Sequence, residues 1–409
     1  MKILFVCHRV PYPPKRGGKI RPFNIIRHLS QNGHEVTVAS IARTEQEREE
    51  AAELQKFCAR TLVEVIPNQA AWPRMVAWLP TTRPSSFGYF HSSRLAQRIR
   101  AELAAGGYDM VFAHCSSVAP YVADVHGPVK VLDYGDMDSQ KWREYSTERS
   151  FPLAAGYWLE AVKLERVEKA LAPKFDLCTC TTRAELATLQ GFGVTGPTGW
   201  FPNGVDYEFF SPGTEDYDPN TVVFVGRMDY YPNQQAVKQF CRDVLPKLRQ
   251  GRPDARFEIV GADPPAHIRE LGRLPGVSVT GSVPDVRPYV RRAALTVAPL
   301  EIARGTQNKI LESMAMGVPV VCSEQASGGV DAVAGEHILV ARSAEEYVQQ
   351  IMSILESPQT RGRFAREARA RVLARHTWAN SMRHLDEMLG TVAAGYGTPS
   401  PAIGRAANQ

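Results

Sequence analysis

Between Glu301 and Gly317 the chain gathers residue types that can hold a phosphate beside a sugar: Arg304-Gly305-Thr306-Gln307-Asn308-Lys309, then Glu312. A glycine turn leads into a short helix expected to carry Asn308, Lys309 and Glu312 in its first turn. Gly317 stops it, and residues 318–321, Val-Pro-Val-Val, read as a buried strand. A helix start offers free backbone N–H groups and partial positive charge, which suit a phosphate. A carboxylate in the same turn can accept hydrogen bonds from sugar hydroxyls. Phosphate and sugar together fit a nucleotide sugar. The plain alternative is a solvated Lys309–Glu312 pair on a helix surface.

Other candidates stand directly after strand-like runs. Arg9-Val-Pro-Tyr-Pro-Pro-Lys15-Arg16-Gly17-Gly18-Lys-Ile-Arg21 brings bases and paired glycines to the first such loop, but it is not G-x-G-x-x-G, which disfavours NAD. Tyr108-Asp-Met-Val-Phe-Ala-His114 ends on a histidine that is either structural or turned toward a ligand. Leu132-Asp133-Tyr-Gly-Asp136-Met-Asp138 groups three carboxylates after the next strand. Cysteines at 7, 58, 115, 178, 180, 241 and 322 are odd in number and lack metal-ligand spacing, which implies a reducing cytoplasm. Cys178 and Cys180 share one face of a strand, as a buried pair would.

The elements that must position these residues alternate strand and helix. Strands are expected at residues 3–7, 35–40, 62–66, 110–113, 129–133 and 177–181, with helices at about 21–32, 45–57, 92–105 and 156–171. The same grammar restarts at 221–226 and continues through 257–261, 277–281, 295–299 and 319–322. With 409 residues the chain suits two α/β domains. The boundaries fall at 1–195 and 196–370, with a last helix over about 361–389, its part at 371–392 set apart as a C-terminal helix, and a disordered tail at 393–409. Loops after such strands are where open α/β sheets bind ligands. The net charge of +5 lies in the first half, where no acid precedes Glu35. That favours a phosphate-bearing acceptor or an anionic membrane, and no motif points to nucleic acid. Trp72-Pro-Arg-Met-Val-Ala-Trp78 could meet such a membrane or simply pack. No run is long and apolar enough to span a bilayer, and the first strand lacks a signal-peptide cleavage pattern.

Leu311-Glu312-Ser-Met-Ala-Met-Gly317-Val-Pro-Val-Val321 resembles the donor-binding helix of family 4 glycosyltransferases. These enzymes have the GT-B architecture: α/β, with two Rossmann-like doubly wound parallel-sheet domains and a cleft between them. Pro202-Asn203-Gly204-Val205-Asp206 and Gly226-Arg227 match the same family. The subgroup with the nearest resemblance is linked to bacterial exopolysaccharide and PEP-CTERM loci, through the Asp-rich segment with Lys141-Trp142 and through Gln307-Asn308-Lys309. Two positions depart from the pattern. Arg304 stands where the family has its first glutamate, and Pro232 where it has a diphosphate-binding lysine.

The resemblance implies a retaining hexosyltransferase that uses a nucleotide sugar and a glycan or polyprenyl-linked acceptor. It would be cytoplasmic, with peripheral contact at the inner membrane face through the first domain, and would need no metal or other cofactor. His114, Arg227 and Lys309 are the expected catalytic residues, Lys309 supplying the charge that Pro232 lacks. Gly17, Gly18, Asn203, Gly226, Val283, Arg304, Gly305, Thr306, Asn308 and Glu312 would bind the donor, with Glu312 on the ribose and Val283 in a loop at the base. Lys15, Arg16, Asp136 and Asp138 would face the acceptor; Asp136-x-Asp138 looks like a metal-binding D-x-D outside its usual context. A nucleotide-sugar epimerase of the same fold and a noncatalytic nucleotide-sugar-binding subunit remain alternatives.

Overall fold

The computed structural model describes residues 1–14 and 17–393. It contains two compact units, Met1–Phe201 with the chain from Met382, and Pro202–Ser381. In the first unit β1 (Lys2–Cys7), β2 (Glu35–Ala42), β3 (Arg60–Val65), β4 (Met110–His114), β5 (Val129–Gly135), β6 (Leu177–Cys180) and β7 (Thr198–Trp200) form one parallel sheet. Its order is β3-β2-β1-β4-β5-β6-β7. β1 and β4 are apolar over nearly their whole length because helices cover both faces, leaving no solvent side on which polar residues could alternate. The Gly17–Gln31 helix starts four residues before Arg21 and buries Phe23, Ile25, Ile26 and Leu29.

The second unit repeats the plan with β8 (Asp218–Val225), β9 (Arg256–Val260), β10 (Val277–Gly281), β11 (Ala293–Ala298), β12 (Val320–Ser323) and β13 (Leu339–Ala341), in the order β10-β9-β8-β11-β12-β13. Both folds are α/β, with the sheet order reversing between β1 and β4 in one and between β8 and β11 in the other. In such sheets the carboxyl ends of the strands flanking the reversal form the natural ligand position.

The structure departs from the sequence expectations at several boundaries. β7 joins the first sheet, so the first unit runs to Phe201 instead of 195. The single helix expected over 361–389 is two, Pro358–Arg375 and Trp378–Ala393. The break has a local cause: Val205 N donates to His376 O at 2.8 Å, and Asn380 N donates to Thr377 Oγ1 at 3.1 Å as the new helix starts. A side chain at Gly204 would meet Trp378 N at 2.5 Å, so the glycine permits this close approach. From Met382 the last helix belongs to the first unit, and the segment assigned as a tail lies, from 394, outside the described residues. No described helix is long and apolar enough to cross a membrane.

Candidate active site

In the first unit, β1 and β4 pair in parallel with Cys7 opposite His114, so the reversal point carries His8, His114 and Cys115. His114 is 4% exposed, and its Nδ1 lies 2.8 Å from Asp133 Oδ2 at the adjacent end of β5. Asp133 is fully buried, yet Arg21 clasps it with two hydrogen bonds, Nε to Oδ2 at 2.8 Å and Nη2 to Oδ1 at 2.9 Å. Thr179 Oγ1 donates to Oδ1 at 2.9 Å. Burial works to raise the Asp133 pKa, but the Arg21 guanidinium and these hydrogen bonds hold the carboxyl well below its usual range. The ionised carboxylate then places the proton of a neutral His114 ring on Nδ1 and leaves Nε2 as an acceptor. Arg21 is itself fixed by Phe201, whose carbonyl accepts from Nη1 at 2.8 Å and whose ring lies 3.6 Å from the guanidinium carbon.

Among the described residues only Cys115 and Asp263 combine a side chain with positive φ, 79° and 56°. Both follow the carboxyl end of a strand, one in each unit, and such strain collects at functional sites. Gly17 and Gly18 open their helix, Gly18 beside His8: a Cβ there would lie 4.0 Å from His8 Nε2. Asp136 accepts from Thr181 Oγ1 at 2.7 Å, and Asp138 begins the Asp138–Thr147 helix and pairs with Lys141. Both D-x-D carboxylates are thus engaged locally. Lys15 and Arg16 lie outside the described residues.

In the second unit, β8 runs into Gly226-Arg227, and β11 runs through residues 299–307 into the Asn308–Ala315 helix. The Gly226 turn is packed backbone to backbone: a Cβ at Gly261 would fall 1.8 Å from Gly226 O. Gly305, at φ 65°, has the same relation to Gly329, where a Cβ would fall 2.0 Å from Gly305 O. Only glycine suits these contacts. Gln307 gives the following helix no side-chain cap, and no acid lies in its first turn, which leaves its start electropositive.

Lys309 reaches back toward the Gly226 turn. Its Nζ donates to Asn233 Oδ1 at 2.6 Å and lies 4.4 Å from the Phe224 ring centroid. Asn233 Nδ2 in turn donates to Arg227 O at 2.8 Å. Asn203 joins the set, donating from Nδ2 to Asn308 Oδ1 at 3.2 Å and from its backbone N to Thr306 Oγ1 at 3.4 Å. Glu312 lies one turn deeper than the first-turn position expected for it, on the same face as Asn308 and Lys309. Burial lowers the Lys309 pKa and raises that of Glu312, each charge opposing the shift of the other.

Arg227 differs from a free phosphate ligand. Its Nη2 donates to Asp229 Oδ2 at 2.8 Å, its Nε to Asp229 Oδ1 at 3.1 Å, and it also pairs with Asp263. Pro232 is buried in the first turn of the Tyr231–Gln239 helix, immediately before Asn233. Val283 packs on the apolar cluster containing Val260 and Met316, and Arg304 O accepts from Gln307 Nε2 at 3.0 Å.

Residues 16–209 match the model of glycosyltransferase family 4, and residues 219–357 that of the group 1 glycosyl transferases. Solved structures with the same fold include sucrose-phosphate synthase from Thermosynechococcus elongatus, at 16% identity and a TM-score of 0.71, covering 97% of this chain and 100% of that one. The chain has the GT-B fold and carries two domains similar to these glycosyltransferase families. HepE of Anabaena, solved with UDP, aligns at 17% identity and TM-score 0.68 over 96% of this chain and 100% of its own. TarM aligns at 9% and 0.69 over 95% and 98%. No curated protein matches the sequence.

Sequence reasoning missed several residues of these two constellations. Arg21 and Asp133 are 112 positions apart, and Asn233 and Lys309 are 76 apart, so no local spacing connects them. Position gave one signal: Asp133 closes the strand expected at 129–133, the next after the one expected at 110–113 and followed by His114.

Proposed function

We propose that this glycosyltransferase moves a sugar, with retention, from a nucleotide-sugar donor to a glycan or polyprenyl-linked acceptor in bacterial exopolysaccharide or cell-surface glycan synthesis. The observation that carries the reading is the second unit's constellation of uncapped helix start, Lys309 and Asn233 around the Gly226 turn. That arrangement presents convergent N–H groups and a cation to a diphosphate, with Glu312 on the same helix face to receive ribose hydroxyls. HepE is described with UDP and with UDP-glucose, and TarM of S. aureus with UDP and alpha-GlcNAc-glycerol, which supports a donor of this class.

In this reading Lys309 and the helix start stabilise the leaving diphosphate, joined by Arg227 when the phosphate displaces its carboxylates. Preorganised charge of this kind is usually the largest catalytic term. No resident metal is required. His114, oriented by Asp133, serves the sugar and acceptor side together with Asp136 and Asp138. A thermal-shift screen against UDP, GDP, ADP and their sugars tests the donor class. Ligand at about 100 times its Kd adds roughly 2.7 kcal/mol, and no shift with any nucleotide would overturn the proposal. Arg304, standing where the family has a glutamate, favours a noncatalytic binder as the second reading; that protein would shift with nucleotide yet transfer to no acceptor.

The acceptor reading extends to an anionic membrane surface. Trp72, Val76 and Leu79 are exposed on and beside the Asn68–Trp78 helix, and Phe151, Leu153, Trp158, Leu159 and Val162 on and beside the Leu153–Leu171 helix. Lys163 Nζ ties the two groups by donating to Leu79 O at 2.7 Å, and Arg166 donates to Thr82 O at 2.8 Å. Exposed Arg83 and Arg166 add positive charge around this apolar face. Trp78, one of the two tryptophans expected at the membrane, is instead half-buried against His91.

A further inference from the structure

We propose that His8, His114 and Cys115 form a binding site for a soft divalent cation of the zinc type at the carboxyl edge of the first sheet. The parallel register that sets Cys7 against His114 brings the next residues of both strands, His8 and Cys115, side by side. One ligand atom from each of the three residues lies within 4.8 Å of the others. Tetrahedral zinc with nitrogen at about 2.0 Å and sulfur at about 2.3 Å needs separations near 3.5 Å, so binding would require the His8 and Cys115 side chains to close on His114 by about an ångström.

Three further features match a metal centre. His114 has Nδ1 committed to Asp133, the carboxylate–histidine arrangement that orients a ligating imidazole and leaves Nε2 for the ion. His8 Nδ1 is buried without a hydrogen-bond partner, an unmet need that coordination would satisfy. Cys115 holds a left-handed backbone and is half-buried, whereas the six other cysteines are buried. Two imidazoles and a thiolate suit zinc better than magnesium or calcium. On binding, the Cys115 thiol releases its proton to solvent as the sulfur–metal bond forms, and the fourth position stays open to water or a substrate hydroxyl. An ion there would occupy His114 Nε2 and so inhibit any reaction that uses it. Binding itself depends on neither donor nor acceptor, so its test stands apart from the proposed transfer.

The test is cobalt(II) titration of the full chain kept reduced. The expected result is one cobalt per chain with a near-ultraviolet thiolate-to-cobalt charge-transfer band that zinc abolishes. Cys115→Ser should lose the band, and His8→Gln should weaken cobalt binding at least tenfold, both with the parent's circular dichroism. Cys58→Ser, altered elsewhere in the unit, should keep the parent's spectrum and affinity. Absence of the band in the parent, its survival in Cys115→Ser, or unchanged affinity in folded His8→Gln would each overturn the proposal.

Discussion

Replacing Lys309 by methionine removes the charge and keeps most of the side chain's length. In the structure the ammonium lies 2.6 Å from Asn233 Oδ1, beside the Gly226 turn. A charge-assisted hydrogen bond to phosphate contributes about 1.5–3 kcal/mol, so affinity for a nucleoside diphosphate should fall roughly ten- to a hundredfold. Two effects on the fold oppose each other: a desolvated ammonium is removed, while Asn233 Oδ1 loses its donor at a cost of about 1–3 kcal/mol. The melting temperature should therefore move by only a few degrees. Calorimetry with the best of UDP, GDP and ADP, set against its parent nucleoside, isolates the phosphate contribution. Nucleoside affinity should stay unchanged.

The same lysine predicts a pH dependence. Burial lowers its pKa, and the anion binds the protonated form, so diphosphate affinity should decline as pH rises above neutrality, earlier than for an exposed lysine. Working above about pH 7.5 keeps the terminal phosphate, whose second pKa is near 6, fully ionised. The decline should vanish in Lys309→Met. Equal loss of nucleoside and diphosphate, or no loss of either, would refute the phosphate role.

Asp263→Asn, which keeps a residue tolerant of positive φ, removes one counter-charge from Arg227 and should tighten diphosphate binding severalfold; weaker binding by calorimetry would mean that Arg227 does not serve the phosphate. Asp133→Asn leaves the buried Arg21 without its ion partner and should cost about 3–5 kcal/mol in denaturant unfolding at neutral pH. Because the folded Asp133 pKa is depressed, its contribution is present above the ordinary value of 3.8 and lost as pH falls through the folded value, so the gap between parent and variant should narrow only in strong acid. Trp158→Ser/Val162→Ser should reduce flotation with anionic liposomes severalfold, and parent-like flotation would mean that the face does not meet lipid.

The central strands were legible in sequence because continuous apolar runs of four to eight residues between glycine and proline punctuation leave few alternatives. The edge strands β7 and β13 were not: Thr198-Gly-Trp200 and Leu339-Val-Ala341 are three residues long and carry no period of their own. The helix at Asn308 could be read because Lys309 and Glu312 are local to each other, and its glycine stop at Gly317 stands at φ 68°. Asp229 is two positions from Arg227, but the Asp263 carboxylate on Arg227 and the Asn233 bridge to Lys309 required the fold, since they join segments that follow different strands. Helix periodicity also runs through His376 and Thr377 without interruption; the break shows only in the hydrogen bond from Val205 to His376 O and the Thr377 cap on Asn380 N.

The last helix bears on the order in which the protein can be made. Met382, Leu385, Leu389 and Val392 are buried, His28 bonds Asp386 at 2.9 Å, and a side chain at Gly199 would strike Met388 Sδ at 2.1 Å. The first unit thus lacks one of its own packing elements until the residues after Met382 have left the ribosome. Translation normally lets an amino-terminal domain finish folding while its successor is still being made. Here completion of the first unit waits until the second has been translated.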